Sequence, residues 1–208
     1  DYAAFEQILE EAKTKFPPMR IYAYCIMPNH WHLVLASLVD GVLSAFVQWL
    51  TLTHVQRWRT AHESVGSGHL YQGRFRSFPI QTDAHFLTVA RYVERNALRA
   101  NLVQRAEQWR WSSPWRRTTG STAQRAILDA WPTSFPPDYL AWLNTPLTSG
   151  ELEAIRASVN RGTPYGHHEW TSSTAERLGI TLREPGRPKQ KETVSESKTV
   201  SDTFTNGV

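Results

Sequence analysis

Apolar residues recur at helical spacing at the start of the chain (Tyr2, Ala3, Phe5, Ile8, Leu9, Ala12), with Glu and Lys between them. This predicts an amphipathic helix over residues 2–15, stopped by Phe16-Pro17-Pro18. The pattern then becomes β-prone from Ile21 to Met27, breaks at Pro28-Asn29, and resumes from His30 to Ala36, as in two strands joined by a tight turn. Residues 40–61 return to helical spacing through Val42, Leu43, Phe46, Val47, Leu50 and Val55. A flexible loop is expected over Ser64–Gly68 and a short strand over Arg74–Ile80. Asp83 is placed to cap a helix reaching about Ala100, with Phe86, Val89, Val93, Ala97 and Ala100 as its buried stripe.

After Trp115 the pattern weakens. Residues 118–122 read as a polar linker, 131–137 as irregular, and 149–160 and 167–179 as short helices. From Arg183 the chain is charged and Ser/Thr-rich with few large apolar groups, so a disordered tail is expected. The predicted class is α+β: a mostly antiparallel sheet with helices on one side, then a small helical appendage. The corresponding division is 1–117, 118–182 and 183–208.

Composition adds exclusions. Hydrophobic residues make up 40% and charged residues 20% of the 208, as in ordinary globular domains. No apolar run approaches the roughly 18 residues of a membrane span. The single cysteine, Cys25, excludes a disulfide framework and a Cys-based zinc cluster, and fits a reducing compartment. No basic-then-apolar leader opens the chain. A chain beginning with Asp1 is expected to start inside a longer reading frame.

The net charge of +4 hides an asymmetry. Between Arg57 and Arg117 there are eleven Arg, no Lys and four acids, a local +7, which leaves −3 for the rest. Arginine interleaved with Trp, Tyr and Phe is the composition expected where phosphates and unstacked bases are held. An inert basic face would have the same composition.

His30-Trp31-His32 is the first feature with chemical content. On a strand both imidazoles project from one side and Trp31 from the other, so His30 and His32 could share a divalent ion. Tyr92 and Asn96 are spaced i,i+4 and Arg99 i,i+7, on a stripe off the Phe86/Val93/Ala97 face. A phenol and an amide oxygen could thus approach the same ion. Without an ion, Tyr92 reads as a half-buried helix tyrosine and Asn96 as a solvated amide. The remaining histidines (His54, His62, His69, His85, His167, His168) show no paired spacing and read as structural or solvated.

The stretch Ile21-Tyr22-Ala23-Tyr24-Cys25-Ile26-Met27-Pro28-Asn29-His30-Trp31-His32-Leu33-Val34-Leu35 resembles the signature of single-tyrosine HUH transposases, especially the REP-associated tyrosine transposases of bacteria. Three further segments match in order: Tyr71-Gln72-Gly73-Arg74-Phe75-Arg76-Ser77, the run from Tyr92-Val93-Glu94-Arg95-Asn96 to Val103, and Trp109-Arg110-Trp111-Ser112-Ser113. Arg161-Gly162-Thr163-Pro164-Tyr165-Gly166 and Gly186-Arg187-Pro188 also resemble that family, so the likeness covers most of residues 1–190.

The resemblance implies an HUH/ferredoxin-like catalytic domain over 1–117, with His30 and His32 as metal ligands, Tyr92 as nucleophile and Asn96 as the amide-bearing third ligand. It implies a metal-dependent single-strand DNA endonuclease and strand transferase that acts beside hairpins. The implied intermediate is a 5′-phosphotyrosine, the cofactor Mg²⁺ or Mn²⁺, the state monomeric and the location cytoplasmic. Arg74, Arg76, Arg95 and Arg99 would contact phosphates, and Tyr71 and Phe75 would stack bases. Members of that family open with a strand upstream of the first helix, so a sheet lacking that strand is expected. The alternative function is a non-catalytic hairpin-binding protein derived from such a transposase; a third reading is a zinc hydrolase built on His30 and His32.

Overall fold

A computed structural model describes residues 1–63, 69–71 and 75–182. The expected loop over 64–68, Arg74 and everything from Arg183 lie outside the described residues. The elements run α1 (Tyr2–Lys15), β1 (Met19–Ile26), β2 (Trp31–Ser37), α2 (Val42–Ala61), α3 (Ala84–Glu94), α4 (Asn96–Arg99), α5 (Ser113–Thr118), α6 (Thr122–Arg125), α7 (Tyr139–Asn144), α8 (Ser149–Arg161) and α9 (His168–Leu178). A 3₁₀ turn covers Ala106–Gln108. The fold is α+β, with β1 and β2 forming an antiparallel two-stranded sheet. Among the described residues no helix is long and apolar enough to cross a membrane.

Helices cover both faces of this sheet, not one. The first face packs Ile21, Tyr24 and Ile26 of β1 and Trp31, Leu33 and Leu35 of β2 against α1 and α2. The second packs Ala23, Cys25, Met27 and Val34 against α3. A β-bulge interrupts the alternation of β1: Ile21 pairs with Leu35 but Ala23 pairs with Val34, so Tyr22 is the extra residue. Odd positions face α1 before the bulge and even positions face it afterwards, because one inserted residue inverts a period-2 pattern. Both faces of β1 carry buried apolar residues. Burial pushes the Cys25 thiol up to about 12, leaving it an inert core group.

The outer edge of β1 is closed by later segments. Ile26 N–H donates to Trp111 C=O at 2.9 Å, Tyr24 N–H to Ser113 Oγ at 3.0 Å and Ile21 N–H to an Asp129 carboxylate oxygen at 2.8 Å. The region after residue 117 contributes Ile127 to the first core cluster and Ile155 to the second.

Two expectations fail locally. Residues 75–80 form no strand; a single bridge joins Ile80 to Tyr165. The helix from Asp83 is interrupted at Arg95, which separates α3 from α4. Asp83 does cap α3, accepting from His85 N–H at 2.7 Å. Asn101 ends α4 with φ of 57°, a left-handed conformation that Asn tolerates, and Leu102 N–H donates back to Ala97 C=O at 3.0 Å.

Candidate active site

Trp31, Leu33 and Leu35 anchor one face of β2, so strand alternation sends His32 to the face that α3 covers. His30 precedes the strand, and the His30 and His32 rings stand perpendicular with centroids 4.9 Å apart. Asn29 Oδ1 lies 2.7 Å from His30 Nδ1, a contact that favours the proton on Nδ1 and leaves the lone pair of the other ring nitrogen free. Burial, then the neighbouring His30 and Arg99, lowers the His32 pKa to about 4, so its imidazole is neutral near pH 7. Burial and Arg99 also lower the His30 pKa. Among the described residues the His32 ring nitrogens take no hydrogen bond. Unprotonated imidazole nitrogens without partners suit a metal ion.

Tyr92, near the end of α3, reaches this group: its ring lies 6.0 Å from that of His32, edge to face. It is 8% exposed and packs in the second core cluster, so the expected stripe off the buried face is corrected. Among the described residues its hydroxyl makes no hydrogen bond and is not a buried orphan. The Arg99 guanidinium lies 4.2 Å from the Tyr92 ring centroid.

Asn96 is 2% exposed, so the solvated alternative is also corrected. Its Nδ2 donates to the Tyr92 and Val93 carbonyls at 3.2 and 3.3 Å, and its Oδ1 accepts from Arg99. The amide that would serve as third ligand is thus engaged inside the protein. Its hydrogen bonds span the α3–α4 junction, which gives it a structural part as well.

The basic block fares differently from its sequence count. Arg57 pairs with Glu11, Arg91 with Glu151, Arg105 with Glu107, Arg110 and Arg116 with Glu6, and Arg117 with Glu94. Most of these acids come from outside the block, where a window along the chain does not count them. Arg76, Arg95 and Arg99 have no carboxylate partner among the described residues. Arg76 donates to Asn160 Oδ1 at 2.9 Å, and Arg95 to the Leu143 carbonyl, also at 2.9 Å. Arg95, Arg99 and Arg105 line a cleft of about 400 Å³ together with Asn144, Leu147 and Leu152. Arg99 therefore joins the cleft to Tyr92. Burial, then the Arg91 and Arg99 cations, lowers the Arg95 pKa, as expected for a partly buried cation among like charges.

Tyr71 is not at this site. It sits on the Trp31 face, its hydroxyl 2.6 Å from His54 Nδ1 and accepting from Trp31 Nε1 at 3.3 Å, so its polar end is satisfied internally. Phe75 is 45% exposed.

Residues 2–96 match the family model described as Transposase IS200 like, which is slightly less than half of the chain. The match supports the transposase family for the segment carrying His30, His32, Tyr92 and Asn96. No curated protein and no solved structure gives a significant match.

Proposed function

We propose that this protein is a metal-dependent, single-tyrosine DNA strand transferase of the REP-associated kind, cutting single-stranded DNA beside a hairpin through a 5′-phosphotyrosine. The observation that carries this reading is the meeting of His30, His32 and Tyr92, contributed by a strand and a helix far apart in the chain. The family match over the same segment supports it.

A divalent ion fits the imidazole pair, because His32 is neutral and unpartnered and His30 is oriented by Asn29. Asn96 Oδ1 would join as third ligand through the lone pair that its hydrogen bond from Arg99 leaves free. Phosphate chemistry favours Mg²⁺ or Mn²⁺, and two imidazoles lean toward Mn²⁺; held by His30 and His32, such an ion would supply polarisation of the scissile phosphate. Tyr92 Oη attacks phosphorus and its proton passes to solvent. The bond to the 3′ oxygen breaks and that oxygen takes up a proton, leaving a free 3′-hydroxyl. A later 3′-hydroxyl displaces Tyr92 by the reverse step, so no nucleotide energy source is required. Arg99 and Arg95 meet the phosphates that flank the reacting one, along the cleft.

The test is a labelled single-stranded hairpin incubated with the protein and Mg²⁺ or Mn²⁺, then denatured. A DNA adduct resistant to denaturation and abolished by chelator is the expected result. A gel shift without any adduct would leave a hairpin-binding protein instead.

Arg99→Ala is expected to weaken single-strand binding and to flatten its salt dependence. Loss of one phosphate contact lowers the slope of log K against log salt by about 0.7. Binding measured by fluorescence anisotropy from low to moderate salt checks this, and an unchanged slope places Arg99 off the DNA path.

A further inference from the structure

A second group of ligating side chains lies at the opposite end of α3 from Tyr92. Asp83, His85 and His167 each present one donor atom, and the three atoms lie within 4.8 Å of one another. Asp83 Oδ1 is 2.8 Å from His85 Nδ1, and Asp83 Oδ2 faces His167 Nε2 at 3.6 Å. The two imidazole rings are perpendicular with centroids 4.6 Å apart.

Backbone contacts build this convergence without any ligand. Tyr165 N–H donates to Pro79 C=O at 2.8 Å and Gln81 N–H to Tyr165 C=O at 3.0 Å. His167 N–H donates to Gln81 Oε1 at 2.8 Å. Between them, a Cβ on Gly166 would stand 2.5 Å from Gln81 Oε1 and 2.7 Å from Trp170 Cε3, so only glycine lets the two segments come this close. His167 precedes α9 but makes no side-chain cap hydrogen bond, and its side chain is 74% exposed. Helix capping therefore gives no reason for an imidazole at that position.

We propose that Asp83, His85 and His167 bind a borderline divalent ion of zinc's class, which fastens α9 to the start of α3. Two imidazoles and one carboxylate are a donor set such an ion accepts, with water completing four-coordination. Tetrahedral metal–ligand bonds of about 2.0–2.2 Å set donors roughly 3.4 Å apart, so donors now within 4.8 Å of one another need shifts of no more than about 1.4 Å, within the reach of side-chain rotation. His85 ligates through Nδ1 in its Nε2–H tautomer and gives up its hydrogen bond to Asp83. Tyr92 follows Asp83 by about 13 Å of helix at roughly 1.5 Å per residue, so this ion is separate from one held by His30 and His32. It holds the C-terminal region against the helix that carries Tyr92.

The test uses the full chain carrying His30→Ala and His32→Ala, which removes the other imidazole pair. It is titrated with Zn²⁺ alone by calorimetry and melted with and without Zn²⁺. About one equivalent should bind and raise Tm, because a ligand that prefers the folded state stabilises it. Adding His167→Ala should weaken binding at least about tenfold and abolish the Tm increase, while leaving the metal-free Tm unchanged. His85→Ala should give the same loss of binding. Absence of Zn²⁺ uptake in the double variant, or uptake undiminished by His167→Ala, overturns the proposal. Either result leaves the role of Tyr92 untouched, since no DNA is present.

Discussion

Tyr92→Phe is expected to eliminate the covalent DNA adduct, lowering its rate of formation on the order of 10³-fold or more, to background. Hairpin affinity should stay within about twofold of the unaltered protein, a surface-scale effect of roughly 0.5 kcal/mol or less. The substitution removes a hydroxyl with no hydrogen-bond partner among the described residues, so no internal contact is lost. The ring keeps its place in the second core cluster and its contact with Arg99. Adduct yield on denaturing gels and hairpin affinity, measured on the same preparation, separate chemistry from binding. An adduct that survives in Tyr92→Phe would mean another nucleophile does the work. DNA cleavage without adduct, surviving the substitution, would point to hydrolysis at His30 and His32.

The largest effect on stability is expected at Glu94, two residues further along α3. Glu94 is fully buried and accepts from Ser113 Oγ at 2.6 Å, from Tyr139 Oη at 2.8 Å and from Arg117. Arg117 also donates to the Tyr22 carbonyl at the bulge, and its guanidinium lies 5.0 Å from the Trp131 ring centroid. One carboxylate therefore connects α3, α5, α7 and, through Arg117, β1. Glu94→Ala leaves a mostly buried guanidinium whose remaining partners are aromatic faces, the Tyr22 carbonyl and the Tyr139 hydroxyl, together with two hydroxyls that have lost an acceptor. Breaking a buried pair from one side costs about 3–5 kcal/mol. At roughly 2–4 °C per kcal/mol for a chain of this size, Tm should fall by about 6–20 °C. Thermal unfolding followed by circular dichroism, without DNA, checks it. A shift below about 2 °C would mean that this network is not what anchors the later helices.

Some of the site is legible in the chain because it depends on a local period. His30 and His32 fall two apart, and although His30 stands just before β2 their ring centroids lie 4.9 Å apart, as the two-residue spacing leads one to expect. Trp31 packs on the opposite side as that alternation requires. Tyr92 and Asn96 are one helical turn apart, and both do lie beside the junction of α3 and α4. Their burial was not legible: hydrophobic spacing names Val93 and Ala97 as core and has no term for a phenol and an amide wedged between them.

The arginine block shows the same limit for charge. Arg116 is 1% exposed, held by Glu6 and Glu10 of α1. Arg57, Arg91, Arg105, Arg110 and Arg117 likewise spend their charge on carboxylates. A count along the chain sees a local excess, whereas the field at the surface depends on which charges remain unpaired in space. The Asp83, His85 and His167 group stayed hidden for a related reason, since ligands drawn from two distant segments have no characteristic spacing.

Sequence by itself determined the first helix, the strand pair, the long second helix, the last two helices and the α+β class, because each follows from backbone geometry repeating every two or 3.6 residues. It did not give the short helices α5, α6 and α7, whose few turns carry too little periodicity. Tertiary structure alone decided that Tyr92 lies beside His32, that Asn96 is held by Arg99, that helices cover both faces of β1, and which arginines have carboxylate partners. Each of these depends on contacts between residues distant in the chain, which are fixed only when burial and charge pairing are satisfied together across the whole fold.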